Sequence, residues 1–343
     1  MALTGTARRR VTLAAIAEET GVSLSTISKV LNGRPDVSAA TRARVEEQLA
    51  RHGYHRRRQA ASSAALLELV VHELEPGFSL EIIRGVQDVA RANGLGLVLT
   101  ESGTRHAPGE EWIDGVLRRR PRGVVLVFSD LADDLRRQLR SREIPWVILD
   151  PAGDPPPDVP SVGSSNWSGG LMATRHLIEL GHTRIAVISG PDDMMCSHAR
   201  IDGYRSAMTV AGLRLDERLI RYGDFHLEGG RRIGGELLDM EDRPTAIFAG
   251  SDLQALGIME AARARGLEVP RDLSVVGYDD IPLAAWITPG LTTVHQPLRR
   301  MGEEAARLVL RAASGTLDTV PRVDLATSLV VRHSTAAPPS AAA

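Results

Sequence analysis

The feature that most constrains this chain is a set of three short helical patterns between residues 11 and 54. Gly21 separates the first two patterns, and a glycine suits the tight turn between helices. Ser23 and Ser38 precede the second and third patterns, where a hydroxyl can cap a helix N-terminus. Helix, glycine turn and helix, braced by a third helix, is the helix-turn-helix arrangement. The residues predicted to form its core are Leu13, Ile16, Ala17, Ile27, Val30, Leu31, Val45 and Leu49.

Charge is distributed unevenly along the chain. Residues 1–58 contain eleven lysines and arginines against five acids, a balance of +6, whereas the whole chain carries −2. Residues 59–343 therefore carry −8. A basic end on an acidic body favours a nucleic-acid-binding module joined to a part that does not touch DNA. The alternative for the helical pattern alone is a three-helix protein-binding module, and the basic charge argues against it.

The stretches VTLAAIAEETGVSLSTISKVLNG and VSAATRARVEEQLARHGY resemble the DNA-binding head of the LacI/GalR family of bacterial transcription regulators. The resemblance covers nearly the whole head. It implies a homodimer that presents two heads to near-palindromic double-stranded operator DNA. By this resemblance, Leu24, Ser25 and Lys29 read bases in the major groove. The residues expected to hold phosphates are Thr12, Ser23, Thr26, Ser28 and Asn32.

Residues 59–67 are predicted to be a hinge, because the surrounding segment RRRQAASSAA is small, polar and basic. In the family, this segment forms a short helix that inserts a leucine into the minor groove, and such wedges kink DNA. The family's Ala-x-x-Leu pattern is absent here, and Leu66 is the first leucine. Two alternatives stay open: Leu66 is a shifted wedge, or there is no wedge. The hinge residues are taken as Ala60, Ser63 and Leu66.

Beyond residue 65, short apolar strand patterns alternate with helical patterns in two successive series. Such βαβ repetition predicts two doubly wound subdomains with parallel sheets. The stretches HLIELGHTRIAVISG, RIDGY and LTTVHQPLRRMGEEAARLVL also resemble the family, whose effector-binding body is similar to periplasmic sugar-binding proteins. The expected fold is therefore an all-α helix-turn-helix head on an α/β body like that of periplasmic binding proteins.

The domain boundaries follow from these patterns and from the resemblance. The resemblance implies that the chain crosses between the subdomains near residues 163, 296 and 325. The predicted units are a head at 9–58, the hinge at 59–67, a body at 68–335 and a disordered tail at 336–343. Within the body, the N-subdomain is expected at 68–163 and 297–324, and the C-subdomain at 164–296 and 325–333.

Polar residues at predicted strand ends are candidates for binding a small molecule. Asp150 and Asp279 each follow an apolar strand, Arg200 opens a helix, and Phe225 can stack on a sugar face. For any one of these aspartates, a helix N-cap is an equal alternative. The family resemblance implies ligand contacts at Arg200, Asp279 and Phe225, and often at Asp150 and Gln296. Ser251 departs from the asparagine that many sugar-binding members carry, so the effector, expected to be a sugar, is not fixed by the resemblance.

Other functions lack sequence support. There is no G-x-S-x-G elbow, no G-x-G-x-x-G loop and no Cys/His cluster with zinc spacing, so no enzyme activity, cofactor or metal is expected. Cys196 is the only cysteine, which excludes an intrachain disulfide. No apolar run approaches the roughly 20 residues of a membrane span, and no secretory signal pattern precedes the head. We therefore expect a cytoplasmic regulator, with a secreted sugar-binding protein as the weaker alternative.

Overall fold

The computed structural model describes residues 13–31, 37–52, 64–103, 110–127 and 131–339. Its first three helices confirm the predicted pattern of the head. The helices are α1 (Leu13–Thr20), α2 (Leu24–Leu31) and α3 (Ala39–Arg51).

Both predicted caps of the head are present. The Ser23 hydroxyl accepts a hydrogen bond from the Thr26 amide at 3.1 Å, and the Ser38 hydroxyl accepts one from the Thr41 amide at 3.2 Å. Gly21 has φ 68°, the left-handed turn that a glycine adopts without a steric penalty. The buried core of the head consists of Ile16, Ile27, Val30, Val45 and Leu49.

The first α/β unit is built on a six-stranded parallel sheet with the order β11-β5-β4-β3-β1-β2. Helices cover both faces of the sheet, as its almost continuously apolar central strands require. Its strands are β1 (Ala64–Val71), β2 (Gly96–Glu101), β3 (Pro121–Val127), β4 (Trp146–Leu149), β5 (Ser161–Ser164) and β11 (Arg322–Leu325). Its helices are α4 (Phe78–Ala92), α5 (Glu110–Arg119), α6 (Asp133–Ser141) and α12 (Leu298–Ser314).

The second unit repeats this plan with the strand order β12-β10-β9-β8-β6-β7, in which only β12 runs antiparallel, to β10. Its strands are β6 (Ile185–Ser189), β7 (Ile220–Tyr222), β8 (Ala246–Ala249), β9 (Ser274–Asp279), β10 (Thr292–His295) and β12 (Ser328–Val330). Its helices are α7 (Asn166–Glu179), α8 (Met195–Val210), α9 (Leu227–Leu238), α10 (Asp252–Ala264) and α11 (Pro282–Trp286), and a 3₁₀ turn spans Glu217–Leu219.

The chain passes between the two units three times, after β5, after β10 and after β11. Two doubly wound subdomains with parallel sheets are therefore present, as the strand and helix alternation predicts. In such sheets ligands bind beyond the carboxyl ends of the strands. Within the described ranges, no helix combines the length and the apolar character needed to cross a membrane.

Two sequence-based assignments need correction. Leu66 is not in a hinge: it lies in β1 in register with Gly96 of β2, because the apolar run that follows it starts the sheet earlier than predicted. The tail is not disordered from residue 336, since the Ala336 amide donates to the Ser274 hydroxyl at 3.0 Å and its carbonyl lies 2.9 Å from His182 Nε2. Ala60 and Ser63, like residues 340–343, lie outside the described residues.

Candidate functional site

A cavity of about 260 Å³ lies between the two subdomains, at the carboxyl ends of their strands. One wall comes from the segment that follows β1, and the other from α8 and the loops after β7, β8 and β9. A cleft between two domains that mixes polar and aromatic side chains is the usual form of a small-molecule site. The principal lining residues are His72, Glu73, Glu75, Phe78, Arg200, Phe225, His226, Ser251 and Asp279.

Arg200 on α8 is fixed in place beside this cavity, with only 3% of its surface exposed. Its Nε donates to Asn166 Oδ1 at 2.9 Å, and its Nη2 donates to Gln296 Oε1 at 3.3 Å. The guanidinium carbon lies 3.7 Å from the centroid of the Tyr278 ring and 5.2 Å from that of Phe225. Stacking and hydrogen bonds together hold the planar cation rigid, so it is preorganised for a ligand.

Two aspartates at strand ends interact electrostatically with Arg200. Burial raises the pKa of Asp279 well above its usual range, against the opposing effect of Arg200. Burial also raises the pKa of Asp150, to about 6, although Arg200 again opposes it. Asp279 lines the cavity, whereas Asp150 is only 2% exposed and lies behind it. Among the described residues, Asp150 Oδ2 is a buried oxygen with no hydrogen-bond partner.

Phe225 owes its position to a strained loop. Its φ is 68°, which a bulky residue rarely adopts, and the Ser251 hydroxyl donates to its carbonyl at 2.6 Å. A Cβ atom on Gly190 would lie 2.0 Å from the Phe225 ring, so only a glycine lets the ring sit there. Ser251 also caps α10, since its hydroxyl accepts from the Gln254 amide at 3.0 Å. The serine that departs from the family pattern is thus a cap that also anchors the aromatic loop.

The remaining predicted ligand residue is Gln296, which is 1% exposed. Its Oε1 accepts from the Ser164 hydroxyl at 2.8 Å and from Arg200, so it supports the arginine from below rather than lining the cavity. Asp280, next to Asp279, turns away and pairs with Arg332 at 2.6 Å. The six predicted residues therefore divide into four that line the cavity, Arg200, Phe225, Ser251 and Asp279, and two behind it, Asp150 and Gln296.

Comparisons with known proteins agree with this architecture. Residues 12–57 match the model of bacterial regulatory proteins of the lacI family, and residues 174–335 match a periplasmic binding protein-like domain. The HTH-type transcriptional regulator CelR of Thermobifida fusca is 38% identical, over 95% of this chain and 99% of that protein. The chain belongs to the LacI family. Like its relatives, this LacI-family chain is a DNA-binding transcriptional regulator.

Solved structures show the same fold over nearly the whole LacI-family chain. A transcriptional regulator CelR–cellobiose complex matches with a TM-score of 0.73 and 36% identity, over 95% of this chain and 100% of that one. The lac repressor dimer bound to operator and the anti-inducer ONPF matches with a TM-score of 0.70 and 28% identity, over 96% and 100%. Both similarities include the head as well as the body.

The predictions missed one wall of this regulator's cavity. His226, in the loop before α9, faces the segment after β1: its Nδ1 lies 3.4 Å from Glu75 Oε1 and its Nε2 3.8 Å from Glu73 Oε2. The ligand atoms of His72, Glu73 and Glu75 lie within 4.8 Å of one another, and among the described residues this group could hold a metal ion. The rule that strand ends meet at one edge could have found these residues, since they follow β1 directly.

Cys196 also lines the cavity, but burial raises the pKa of its thiol to about 12, ahead of the opposing effect of Arg200. A thiol protonated at neutral pH is a poor nucleophile. This cysteine therefore acts as a small packing residue.

The proposed DNA-reading surface of the head is formed by α2. Leu24 is 53% exposed, and Ser25, Ser28 and Lys29 are also exposed. Ser23 Oγ lies 2.7 Å from Ser25 Oγ and 2.9 Å from the hydroxyl of half-buried Thr26. Hydroxyls at the helix N-terminus, followed by one cation in the last turn at Lys29, suit phosphate and base contacts. Thr12 and Asn32 lie outside the described residues.

Proposed function

We propose that this regulator is a homodimeric repressor whose operator affinity is controlled by a neutral sugar in the cleft. The observation that carries the proposal is the preorganised set at the cavity: the Arg200 guanidinium, the Asp279 carboxyl and the Phe225 ring. Charged groups that can each engage a hydroxyl, beside an aromatic face, form the combination that recognises a sugar ring. Asp150 and Gln296 support this set from behind.

The charge of the cavity favours a neutral ligand. Glu73, Glu75 and Asp224 line it, against Arg200 as its one arginine among the described residues. An anionic effector would meet these carboxylates, whereas a polyhydroxyl compound can donate hydrogen bonds to them. The cellobiose bound to the similar CelR structure makes a glucose disaccharide the first candidate.

A second copy of the chain is the partner we propose for an apolar surface that spans both subdomains. Glu81 of α4 and Ala285 of α11 line one groove of about 390 Å³, and exposed apolar side chains flank it. Trp286 is 77% exposed, Leu80 46% and Leu283 37%. Large exposed apolar side chains around a groove typically mark a protein interface, and a two-fold dimer covers the same patch on both copies.

Effector binding in the cleft would then change DNA affinity through the angle between the two subdomains. The contacts of His226 with Glu73 and Glu75 join the two walls, and a bound sugar adds further contacts to both. A ligand shifts the orientation only by its differential affinity for the two states, and such coupling typically amounts to about 1–3 kcal/mol. The dimer interface would transmit that shift to the two heads.

In the head, we propose that Leu24, Ser25 and Lys29 contact bases and that Thr12, Ser23, Thr26, Ser28 and Asn32 hold phosphates. Exposure of the α2 residues supports these roles. Binding to chromosomal DNA would place the protein in the cytoplasm. No catalytic step is proposed for the body.

The test is fluorescence anisotropy of the full-length protein on DNA from upstream of its own gene. It is run at two salt concentrations, with and without cellobiose, other disaccharides and monosaccharides. Salt-dependent binding that one sugar weakens at least about fivefold, the lower end of typical coupling, supports the proposal. Binding that no sugar alters would reject the sugar effector. No binding to this DNA or to any selected palindrome would reject the repressor itself.

A further inference from the structure

We infer that the body contacts DNA itself, through an arginine-rich edge that touches phosphates beside the operator. This linker-side edge is defined by Arg118, Arg120, Arg122 and Arg311. It lies where β1 leaves the linker: the Ala64 amide donates to the Arg120 carbonyl at 2.8 Å. Arg122 and Arg311 line one groove with Ala65, the next residue of β1.

The arginines of this edge are available to an external partner. Arg118, Arg122 and Arg311 are exposed, and Arg120 is half-buried. Within the described ranges, none of the four forms an ion pair. Many other arginines of the body do, such as Arg218 with Asp216 at 2.7 Å. Acids in the segments just before the strands of this sheet include Glu143 before β4, Asp158 before β5 and Asp318 before β11, and Asp158 is already paired with Arg140. Asp114 lies one turn before Arg118 on α5 without forming an ion pair among the described residues.

The opposite edge of the same sheet has the reverse charge. The described residues at the carboxyl ends of β1, β2 and β4, at 72–77, 101–103 and 150–153, contain no lysine or arginine. Their acids are Glu73, Glu75, Glu101 and Asp150. The N-subdomain is therefore polarised along its strands, with cations towards the tethered head and carboxylates towards the cleft. Such a field orients the body with its arginine edge towards a polyanion.

Helix capping explains only part of this charge. Arg118 and Arg311 occupy the last turns of α5 and α12, where a cation stabilises the helix dipole. Arg120 and Arg122 lie outside any helix and gain nothing from a dipole. The four arginines share their position next to Ala64, so a partner at the linker accounts for all of them.

Chain length keeps this edge close to DNA whenever the head is bound. Only residues 53–63 separate the end of α3 and its following turn from β1. A chain of that length spans at most roughly 40 Å, at about 3.3–3.6 Å per residue. Phosphates within that reach, outside the bases read by α2, are the partner we assign to the edge. The inference rests on operator binding by the head.

The experiment compares two triple variants of the full-length protein. R118Q/R122Q/R311Q removes three charges from the linker-side edge. R175Q/R214Q/R263Q removes three exposed arginines of the second subdomain that, among the described residues, have no ion pair. Both variants have the same net charge. Operator affinity is measured by anisotropy from 50 to 200 mM salt, on a duplex with flanking DNA and on one trimmed to the operator.

Each phosphate contact contributes about −0.9 to the slope of log affinity against log salt. Because each protomer of the homodimer loses three arginines, we expect the edge variant to make the slope less negative by about 5 on a duplex flanked on both sides, and to lose about tenfold or more in affinity at low salt. The control variant keeps the wild-type slope, and trimming the flanks reduces the difference. Thermal unfolding midpoints equal to that of the wild type in both variants, measured by scanning calorimetry, check their folding.

A slope equal to that of the wild type in the edge variant would overturn the inference and leave an acidic protein surface as the partner of these arginines. Weaker binding with an unchanged slope would also overturn it, because the loss would not come from phosphate contacts. If the wild type bound no duplex at all, the inference and the proposed repressor function would fall together. If the wild type binds operator and the edge variant matches it in slope and affinity, the inference falls and the repressor proposal stands.

Discussion

The head and the effector cleft are built to recognise their partners in opposite ways. In the head, a few buried aliphatic residues hold three helices, and the groups proposed to read bases, Leu24, Ser25 and Lys29, lie exposed within a few residues of one another on α2. In the cleft, the groups proposed to meet ligand are two buried charged side chains, Arg200 and Asp279, and the half-buried ring of Phe225, and they come from three separate segments of the chain. DNA affinity should therefore depend on an exposed, salt-sensitive surface, while effector affinity depends on rigid, desolvated groups.

The largest effect we expect comes from the small core of the head. Ile27→Ala removes a fully buried side chain, which costs about 2–5 kcal/mol, and a domain of this size has little stability to spare. Operator binding should be lost, whereas calorimetry should show unchanged effector affinity. Glu46→Ala, an exposed change on α3, serves as the control. Normal operator binding by Ile27→Ala would show that the head does not depend on its own small core for folding, and would contradict this contrast.

The next effect concerns the rigid cation of the cleft. Arg200→Met removes the charged donor that we propose binds the effector, and one hydrogen bond from such a donor contributes about 1.5–3 kcal/mol, so effector affinity should fall at least about tenfold. Operator binding without effector should persist. Arg263→Met, at an exposed arginine of α10, is the matched control. Full induction by Arg200→Met would remove this arginine from the effector site, and rescue by Arg200→Lys would show that charge matters more than planar geometry.

Stability should also depend on pH through the buried acid behind the cleft. The pKa of Asp150 is raised in the folded protein to about 6 from 3.8, so the folded state holds its proton longer than the unfolded state. The free energy of unfolding therefore falls as pH rises from about 4 to about 6, by about 3 kcal/mol from this group.

Denaturant unfolding of the wild type and Asp150→Asn at pH 4.5 and pH 7.5 measures this contribution. The wild type should lose more stability between the two pH values than the variant does. Asp279 and Asp252, whose pKa values burial also raises, should leave a residual loss in the variant. If the free energy of unfolding fell equally in the two proteins between these pH values, the raised pKa of Asp150 would be contradicted.

The smallest effect is expected on the exposed surface of α2. Lys29→Ala should relax the preference at one base pair by about 1–3 kcal/mol, because the lysine can donate to guanine in the major groove. A binding-site selection experiment compares the preference at each position with that of the wild type. An identical preference at every base would discard this role for Lys29.

The sequence predicts most of the fold because its signals are local. The caps at Ser23 and Ser38, the left-handed Gly21 and the apolar strands ending at Asp150 and Asp279 all follow from residues close in the chain. Leu66 was assigned wrongly because an apolar strand that directly follows a linker offers no local boundary. The attachment of Ala336 depends on Ser274 and His182, and nothing in an Ala/Pro-rich tail encodes such distant partners.

The sequence predicts which residue types belong to the cleft, but not which of them line the cavity and which lie behind it. A strand-end position places Asp279 at the cleft and the helix after β6 places Arg200 there, yet neither reveals that Asp150 and Gln296 lie behind the arginine. The approach of His226 to Glu75 depends on how the two subdomains face each other, which no local pattern specifies. Residues that meet across separate units are thus the part of a site that sequence reasoning finds last.

The measurement that tests the central claim most directly is reciprocal linkage between the two regions. Effector affinity is measured by calorimetry on the free protein and on its operator complex, and operator affinity is measured by anisotropy with and without saturating effector. If the cleft controls the head, both ratios should agree, at about 5–150-fold, since coupling between two binding equilibria is reciprocal. An effector that binds equally well to the free and operator-bound protein would contradict the control of the head by the cleft.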